Sequence, residues 1–160
     1  MLFHQRGSKV KRSVLAVILA STLCAAPGWA QVFAKPETAV EYRRSALFLM
    51  GNHMQRIKAE LDVSKPKLET IRASAALIDT LKTVPFEAFV PGTDDVGDTA
   101  AKPEIWTEPE RFKKLAGEMQ DRVAKLDEAA RSGDLAAIRS AFSEAGKACK
   151  SCHDDYRKKR

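Results

Sequence analysis

Residues 134–156 read DLAAIRSAFSEAGKACKSCHDDY, and their pattern predicts a helix with one apolar face. The apolar residues recur at steps of three and four, the spacing that places side chains on one side of a helix. Asp134 precedes the first of them and is a typical N-terminal cap. The stripe consists of Leu135, Ile138, Phe142, Ala145, Cys149, Cys152 and Tyr156. Both cysteines are therefore expected to face the core of the protein.

The end of this stretch contains the string Cys149-Lys150-Ser151-Cys152-His153. A Cys-x-x-Cys-His string is the attachment sequence for c-type haem. On a helix, positions i, i+3 and i+4 share a face, so Cys149, Cys152 and His153 project toward one partner. We expect the two thiols to form thioethers with one covalently bound haem c, and the imidazole of His153 to bind the iron.

Three other roles for the cysteine pair are less well supported by the sequence. A structural zinc site needs four ligands, and outside the N-terminal segment only His53 is available to complete one. A thioredoxin-like pair normally lies at a strand-to-helix junction, whereas this pair lies deep in a helical stretch. A disulfide across one helical turn would strain its own geometry. Haem attachment is favoured over all three.

The first thirty residues have the pattern of a cleavable secretory signal peptide. Four basic residues and no acidic one precede the apolar run VLAVILASTLCAA (14–26), and Gly28 and Ala30 supply small residues at the cleavage positions. The run is shorter than the roughly 20 residues that a membrane-spanning helix needs. We expect cleavage after Ala30, a single mature domain of residues 31–160, and a periplasmic location without membrane attachment.

The net charge changes when this leader is set aside. The full chain carries 27 basic and 21 acidic residues, but four of the basic residues lie in the leader, so residues 31–160 have a net charge of +2. Near neutrality argues against nucleic-acid binding. The basic tail, residues 157–160, is expected to be a solvated helix end, favourable to the helix dipole, rather than a docking site for a redox partner.

Three further segments show helical apolar periodicity. The first follows Pro36, the second precedes Pro85, and the third opens with Thr107 as its N-terminal cap and ends near Gly133. Their stripes are Leu47, Met50, Met54, Ile57 and Leu61; then Leu68, Ile71, Ala75, Ile78 and Leu81; then Phe112, Leu115, Met119, Val123, Leu126 and Ala130.

Short connections between these segments predict antiparallel neighbours. The sequence therefore predicts an all-α, up-down-up-down four-helix bundle with the haem in its core. One connection, residues 84–106, is long and rich in Gly, Pro and Asp. Loops of this length in small domains are mobile or serve a purpose. Phe86, Phe89 and Trp106 are expected to anchor parts of it to the bundle.

Residues 33–50 (FAKPETAVEYRRSALFLM), 85–94 (PFEAFVPGTD), 103–106 (PEIW) and 145–159 (AGKACKSCHDDYRKK) resemble cytochrome c-prime, the class II cytochromes c. The resemblance covers the whole mature chain and implies a four-helix bundle of this kind. It also implies one haem c and a homodimer formed through the first two helices. The outward positions Phe48 and Leu49 suit such a contact.

The resemblance implies roles for individual residues. Cys149 and Cys152 would bind the haem vinyl groups, and His153 would be the sole axial protein ligand. Arg157 would lie beside the proximal imidazole, where nitric oxide can displace the histidine in this family. Arg43 would lie near a haem propionate. We also place Leu47 and Phe89 among the cofactor-binding residues.

Leu47 decides the expected mechanism. Low-spin relatives bind iron through a methionine at the aligned position, five residues after Tyr42, and a leucine has no lone pair to donate. We expect five-coordinate, high-spin iron under an apolar cover that favours nitric oxide and carbon monoxide over oxygen and anions. Met50 and Met54 are alternative ligands but are expected to be core residues, and His53 is expected to be solvated or at an interface.

Three functions remain open from sequence. We favour a gas-binding protein that protects against nitric oxide and keeps a redox-active iron. The alternative is a periplasmic electron carrier with a methionine as sixth ligand and a periplasmic redox partner. An enzyme, such as a weak peroxidase or nitric oxide reductase, is the least favoured, because the distal positions supply no acid/base group.

Overall fold

The computed structural model describes residues 33–159, so the proposed leader, residues 1–30, and Arg160 lie outside the described residues. The helices are α1 (Pro36–Leu61), α2 (Leu68–Leu81), a 3₁₀ helix (Val84–Ala88), α3 (Glu104–Thr107), α4 (Pro109–Ser132) and α5 (Leu135–Tyr156). The predicted all-α four-helix bundle is confirmed, with α1, α2, α4 and α5 as its helices. Within residues 33–159, no helix combines the length and apolarity needed to cross a bilayer.

Neighbouring helices of the bundle pack in pairs. α1 packs against α2, α2 against α4, and α4 against α5, whereas α1 and α5 have little direct backbone contact. The connections between α1 and α2 and between α4 and α5 are short, which makes these pairs antiparallel. The bundle is consequently open along the seam between its first and last helices.

The core is built from the predicted stripes. Its buried members are Met50, Ile57, Leu61, Ile71, Ala75, Ile78, Met119, Val123, Leu126, Ala130, Ile138 and Ala145. Leu47, Met54, Phe142 and Cys149 are half-buried against this cluster. Their partial exposure places them at the open seam rather than in the closed part of the core.

The ends of two helices test the predicted caps. Asp134 caps α5 as predicted, because its carboxylate accepts from the amides of Ala136 at 2.8 Å and Ala137 at 3.4 Å. The prediction that Thr107 caps the third long helix was wrong. Thr107 is the last residue of α3, and Glu108 is the N-cap of α4.

The physical reason for this error is a hydrogen bond of 2.8 Å from the Glu108 amide to the carbonyl of Glu104. That bond closes one extra helical turn ahead of α4, and it takes Thr107 into the turn. The short helix α3 was not expected from the sequence, because four residues are too few to show a period.

The long connection between α2 and α4 packs back onto the bundle, as predicted. Phe86, Phe89 and Trp106 contact a second buried cluster, formed by Ala101, Ile105, Phe112 and Tyr156. The ring centroids of Phe89 and Phe112 lie 5.0 Å apart, and those of Phe112 and Tyr156 lie 5.3 Å apart, both edge to face. Such pairs stabilise the contact beyond the area they bury.

Candidate haem site

A cavity of about 1340 Å³ lies at the open seam between α1 and α5, and residues of the long connection also line it. Small-ligand pockets span about 300–1,000 Å³, so this cavity is large enough for a cofactor bigger than a typical small ligand. All seven predicted site residues line this one cavity: Arg43, Leu47, Phe89, Cys149, Cys152, His153 and Arg157. Leu47, Cys149 and Cys152 belong to the predicted apolar stripes, whereas Phe89 comes from the long connection.

Cys149 and Cys152 are half-buried and free rather than bonded to each other. Burial raises the pKa of the Cys149 thiol. The pKa of Cys152 is raised to about 11, mainly by burial and then by the proximity of Cys149 and Asp155. Two neutral thiols, one helical turn apart on the wall of one cavity, are the groups that thioether attachment to haem consumes. The donor set thus fits a c-type haem.

His153 follows Cys152 in the last turn of α5 and lines the same cavity while remaining exposed. Its pKa is lowered, first by partial desolvation and then by the nearby Arg157 guanidinium. A neutral imidazole is the form that binds metals. Within residues 33–159, no three His, Cys, Asp or Glu side chains are arranged to hold a metal ion by themselves.

Arg157 is the C-cap residue, directly after the end of α5, and its backbone is extended. Its amide donates to the carbonyl of His153 at 3.1 Å, and it lies opposite Ala101 in an isolated antiparallel bridge. The chain beyond His153 is therefore held by the long connection, and the Arg157 side chain stays exposed beside the cavity.

The α1 wall of the cavity carries Leu47, Met50 and Met54. Leu47 and Met54 are half-buried, and Met50 is buried. His53 does not belong to this wall: it is half-buried and its Nδ1 lies 3.2 Å from the hydroxyl of Ser74 on α2. This contact puts His53 between α1 and α2, with part of its side chain exposed to solvent.

Arg43 is buried, at 2 % exposure, where α1 meets the long connection. Nη1 donates to the Ala88 carbonyl at 2.9 Å and the Thr93 hydroxyl at 2.6 Å; Nη2 donates to the Thr93 carbonyl at 2.5 Å and the Thr99 hydroxyl at 2.9 Å. The four terminal N–H groups are thus used within the protein. This leaves Nε–H as the donor for a ligand carboxylate.

The environment of Arg43 is aromatic as well as polar. Its guanidinium carbon lies 4.6 Å from the ring centroid of Phe89 and 5.7 Å from that of Trp106. Burial lowers the pKa of Arg43 to about 10, and nearby Asp94 partly offsets this. A buried charge is tolerated when hydrogen bonds and π faces replace its hydration. Phe89 thus supports Arg43 as well as lining the cavity.

Sequence reasoning missed the polar residues of the long connection. Thr93 and Thr99 hold Arg43, and Lys102 donates through its ammonium to two carbonyls at the end of α5. Threonine and lysine in an irregular loop have no period to mark them. The only usable sequence signal was the unusual length of the loop.

The comparisons identify the family of this chain. The profile of the family Cytochrome C' matches residues 38–157. Cytochrome c' from Alcaligenes xylosoxydans xylosoxydans is 45% identical over 129 residues, covering 80% of this chain and 99% of the relative.

Solved structures of this family have the same fold. A nitric oxide complex of a mutant cytochrome c prime from Alcaligenes xylosoxidans has a TM-score of 0.74 at 43% identity, covering 80% of this chain and 99% of that chain. A cytochrome c' described by an unusual ligand-controlled dimer dissociation has a TM-score of 0.75 at 35% identity, covering 79% and 99%. The chain belongs to the cytochrome c' family.

Proposed function

We propose that this chain is a periplasmic haem protein with one covalent haem c, five-coordinate high-spin iron, and a role in binding nitric oxide and carbon monoxide. Cys149 and Cys152 would hold the haem, and His153 would be its axial ligand. When bound, the haem supplies an open coordination position and a one-electron redox couple. The observation that carries this proposal is the presence of two free thiols, an imidazole and Leu47 on the walls of one cavity.

Three apolar residues of the α1 wall favour uncharged diatomic ligands. Leu47, Met50 and Met54 present no N–H or O–H donor, and they supply no acid/base group for peroxide chemistry. An anion or bound oxygen needs such donors, whereas nitric oxide and carbon monoxide depend on them less. The solved nitric oxide complex of a relative supports this ligand class. Protection against nitric oxide is the physiological role we infer.

The two arginines at the cavity have different proposed roles. Arg43 is fixed by the long connection, and its remaining Nε–H would face a haem propionate. Arg157 is exposed beside His153 and would provide a positive charge near the proximal imidazole. Phe89 would contact the haem edge while it supports Arg43.

The test is an absorption spectrum of the purified mature protein in both oxidation states, before and after addition of nitric oxide. We expect a high-spin, five-coordinate pattern that changes on nitric oxide binding. A six-coordinate low-spin pattern in both states would instead support an electron carrier with a periplasmic redox partner. Met50 and Met54 keep that second function open, because both line the cavity.

The same preparation tests the proposed leader and domain boundaries. Export with cleavage after Ala30 would leave residues 31–160 as one domain. Intact-mass measurement of protein from the periplasmic fraction should give this mass plus one haem. Retention of the leader, or a mass without haem, would contradict the proposal.

We also propose that the protein forms a homodimer through α1 and α2. The large apolar side chains Phe48 and Leu49 on α1 and Leu77 on α2 are 71%, 44% and 37% exposed. Exposed aromatic and aliphatic side chains at this level mark interaction sites when they share a surface. The relative with ligand-controlled dimer dissociation supports association in this family.

A further inference from the structure

One loop residue completes the C-terminal end of α5. The last four carbonyl groups of a helix lack partners within the helix and need other donors. In α5 these belong to residues 153–156, and the amide of Arg157 serves the first at 3.1 Å. Lys102 serves the other three. Its ammonium donates to the carbonyls of Asp154 at 3.1 Å and Asp155 at 2.8 Å. Its amide donates to the carbonyl of Tyr156 at 3.0 Å.

The same part of the loop is tied to α1. The Thr99 hydroxyl accepts from Arg43 at 2.9 Å and from the amide of Ala101 at 3.1 Å. On the α5 side, the carbonyl of Ala100 accepts from the amide of Lys158 at 2.8 Å. Residues 99–102 therefore connect two helices that have little direct contact with each other.

We propose that Lys102 is a positioning residue for His153, and that residues 99–102 form a clamp between α1 and the end of α5. His153 lies in the last turn of α5, which would fray most easily without external partners. The clamp holds that turn and thereby fixes the imidazole relative to the α1 wall. The inference rests on the proposed function in one respect, that His153 binds the iron.

Charge makes Lys102 the strongest of these ties. An ammonium at a helix C-terminus interacts favourably with the helix dipole, and hydrogen bonds from a charged donor are stronger than neutral ones. Two other side-chain ties lie at this end: the Tyr156 hydroxyl donates to Glu108 at 3.2 Å, and Arg111 contacts Asp155 at 2.7 Å. Neither of them supplies a donor to the carbonyls of the last turn, and the Arg111 side chain is 60% exposed. Exposed pairs of this kind contribute little.

The first test is amide hydrogen exchange of the holoprotein after Lys102→Met, which removes the ammonium and keeps an aliphatic stem. Exchange of the Arg157 and Lys158 amides should accelerate about threefold to tenfold. Lys150→Met is the matched control, because the Lys150 ammonium pairs with the exposed side chain of Asp154 in the same turns of α5. Lys102→Arg keeps a cationic donor and should restore slow exchange.

The second test compares two transitions during urea unfolding of the holoprotein. In the native protein and in Lys150→Met, loss of the histidine-bound haem spectrum should coincide with loss of helical circular dichroism. In Lys102→Met the haem spectrum should change first, because the last turn of α5 opens before the bundle unfolds. If Lys102→Met does not fold, Lys102→Gln, which keeps a neutral donor, replaces it in both tests.

Unchanged exchange in Lys102→Met, or equal acceleration in Lys150→Met, would overturn the clamp. Faster exchange with coincident transitions would overturn the positioning of His153, because the helix end would then open without affecting the ligand. Failure of the proposed function is distinguishable from both: it appears in the native protein, as a spectrum without histidine-bound iron, and leaves the exchange rates untouched.

Discussion

The side chain of Leu47 is half-buried on the α1 wall, across the cavity from the α5 wall that carries His153. Its branched hydrocarbon can cover a metal face but cannot bind the metal. A ligand entering on this side must displace the leucine, and close-packed side chains move only at a cost of about 1–3 kcal/mol. Single substitutions at residue 47 should therefore distinguish its steric effect on ligand entry from the effect of adding a side chain that can bind the metal.

Leu47→Ala should accelerate carbon monoxide association with the ferrous protein by roughly tenfold or more, because the steric cost is removed. Stopped-flow or flash photolysis would measure the rate. Leu81→Ala is the matched control: it is the same truncation against the same core, on α2 and away from the cavity wall. Equal rates in the native protein and Leu47→Ala would show that Leu47 does not cover the iron.

Leu47→Met should convert the proposed five-coordinate high-spin iron to six-coordinate low-spin iron. The thioether supplies the lone pair that leucine lacks, at the position where the family resemblance places the methionine ligand of low-spin relatives. Absorption and magnetic circular dichroism would report the change, and carbon monoxide affinity should fall because the sulfur competes for the site. A spectrum that stays high-spin would mean that residue 47 lies too far from the metal to bind it.

α5 carries the proposed haem ligands, and both of its ends are fixed by side chains. Asp134 satisfies two N-terminal amides, while Lys102 of the long connection satisfies three C-terminal carbonyls. The N-terminal cap is local in sequence and the C-terminal one is not. The N-terminal cap could therefore be predicted from the sequence, whereas the C-terminal one could not.

Asp134→Ala should lower the free energy of unfolding by about 1 kcal/mol, because two helix amides lose their acceptor. Urea denaturation followed by circular dichroism would measure the loss. Asp134→Ser, which retains an oxygen that can cap, should lose much less. The haem spectrum should stay unchanged in both variants, since the cap lies about five helical turns from His153; an altered spectrum would mean that α5 shifts as a whole.

The long helices could be predicted because each one carries its own period and its own stop signals. Gly133, with a φ of +77°, and Asp134 mark the turn between α4 and α5 in the sequence as clearly as in the structure. Leu47, Cys149 and Cys152 followed from the same periods, and His153 followed from the Cys-x-x-Cys-His string. Thr107 was misassigned because a hydrogen bond from Glu108 to Glu104 adds one helical turn before α4. A single turn is too short to show an apolar period in the sequence.

The polar part of the site could not be predicted in this way. Arg43 was assigned a place beside a propionate by resemblance, but its four bonds to the long connection depend on where an irregular loop folds back. The role of Lys102 has the same origin, because its acceptors lie more than fifty residues away in sequence. Long-range pairs between side chains and backbone carbonyls leave no local pattern.

At the scale of the whole molecule, the open seam between α1 and α5 means that α1 contributes both to the cavity and to the proposed dimer contact. α1 carries one wall of the cavity, and the exposed Phe48 and Leu49 lie at the rim of that wall. A net charge of +2 over residues 31–160 offers little electrostatic repulsion between two copies. Self-association should consequently depend on apolar contact rather than on charge.

Phe48→Glu should shift the protein from dimer to monomer, because burying an unpaired carboxylate costs more than the apolar contact contributes. Sedimentation velocity of the holoprotein at several concentrations would measure the shift, which should be at least tenfold in the dissociation constant. Val63→Glu is the matched control, since Val63 is also exposed and apolar but lies beyond the end of α1. A monomeric native protein would contradict the proposed dimer. A Phe48→Glu protein that stays dimeric would exclude Phe48 from the contact, and equal weakening by both variants would mean that the added charge, rather than the lost contact, weakens association.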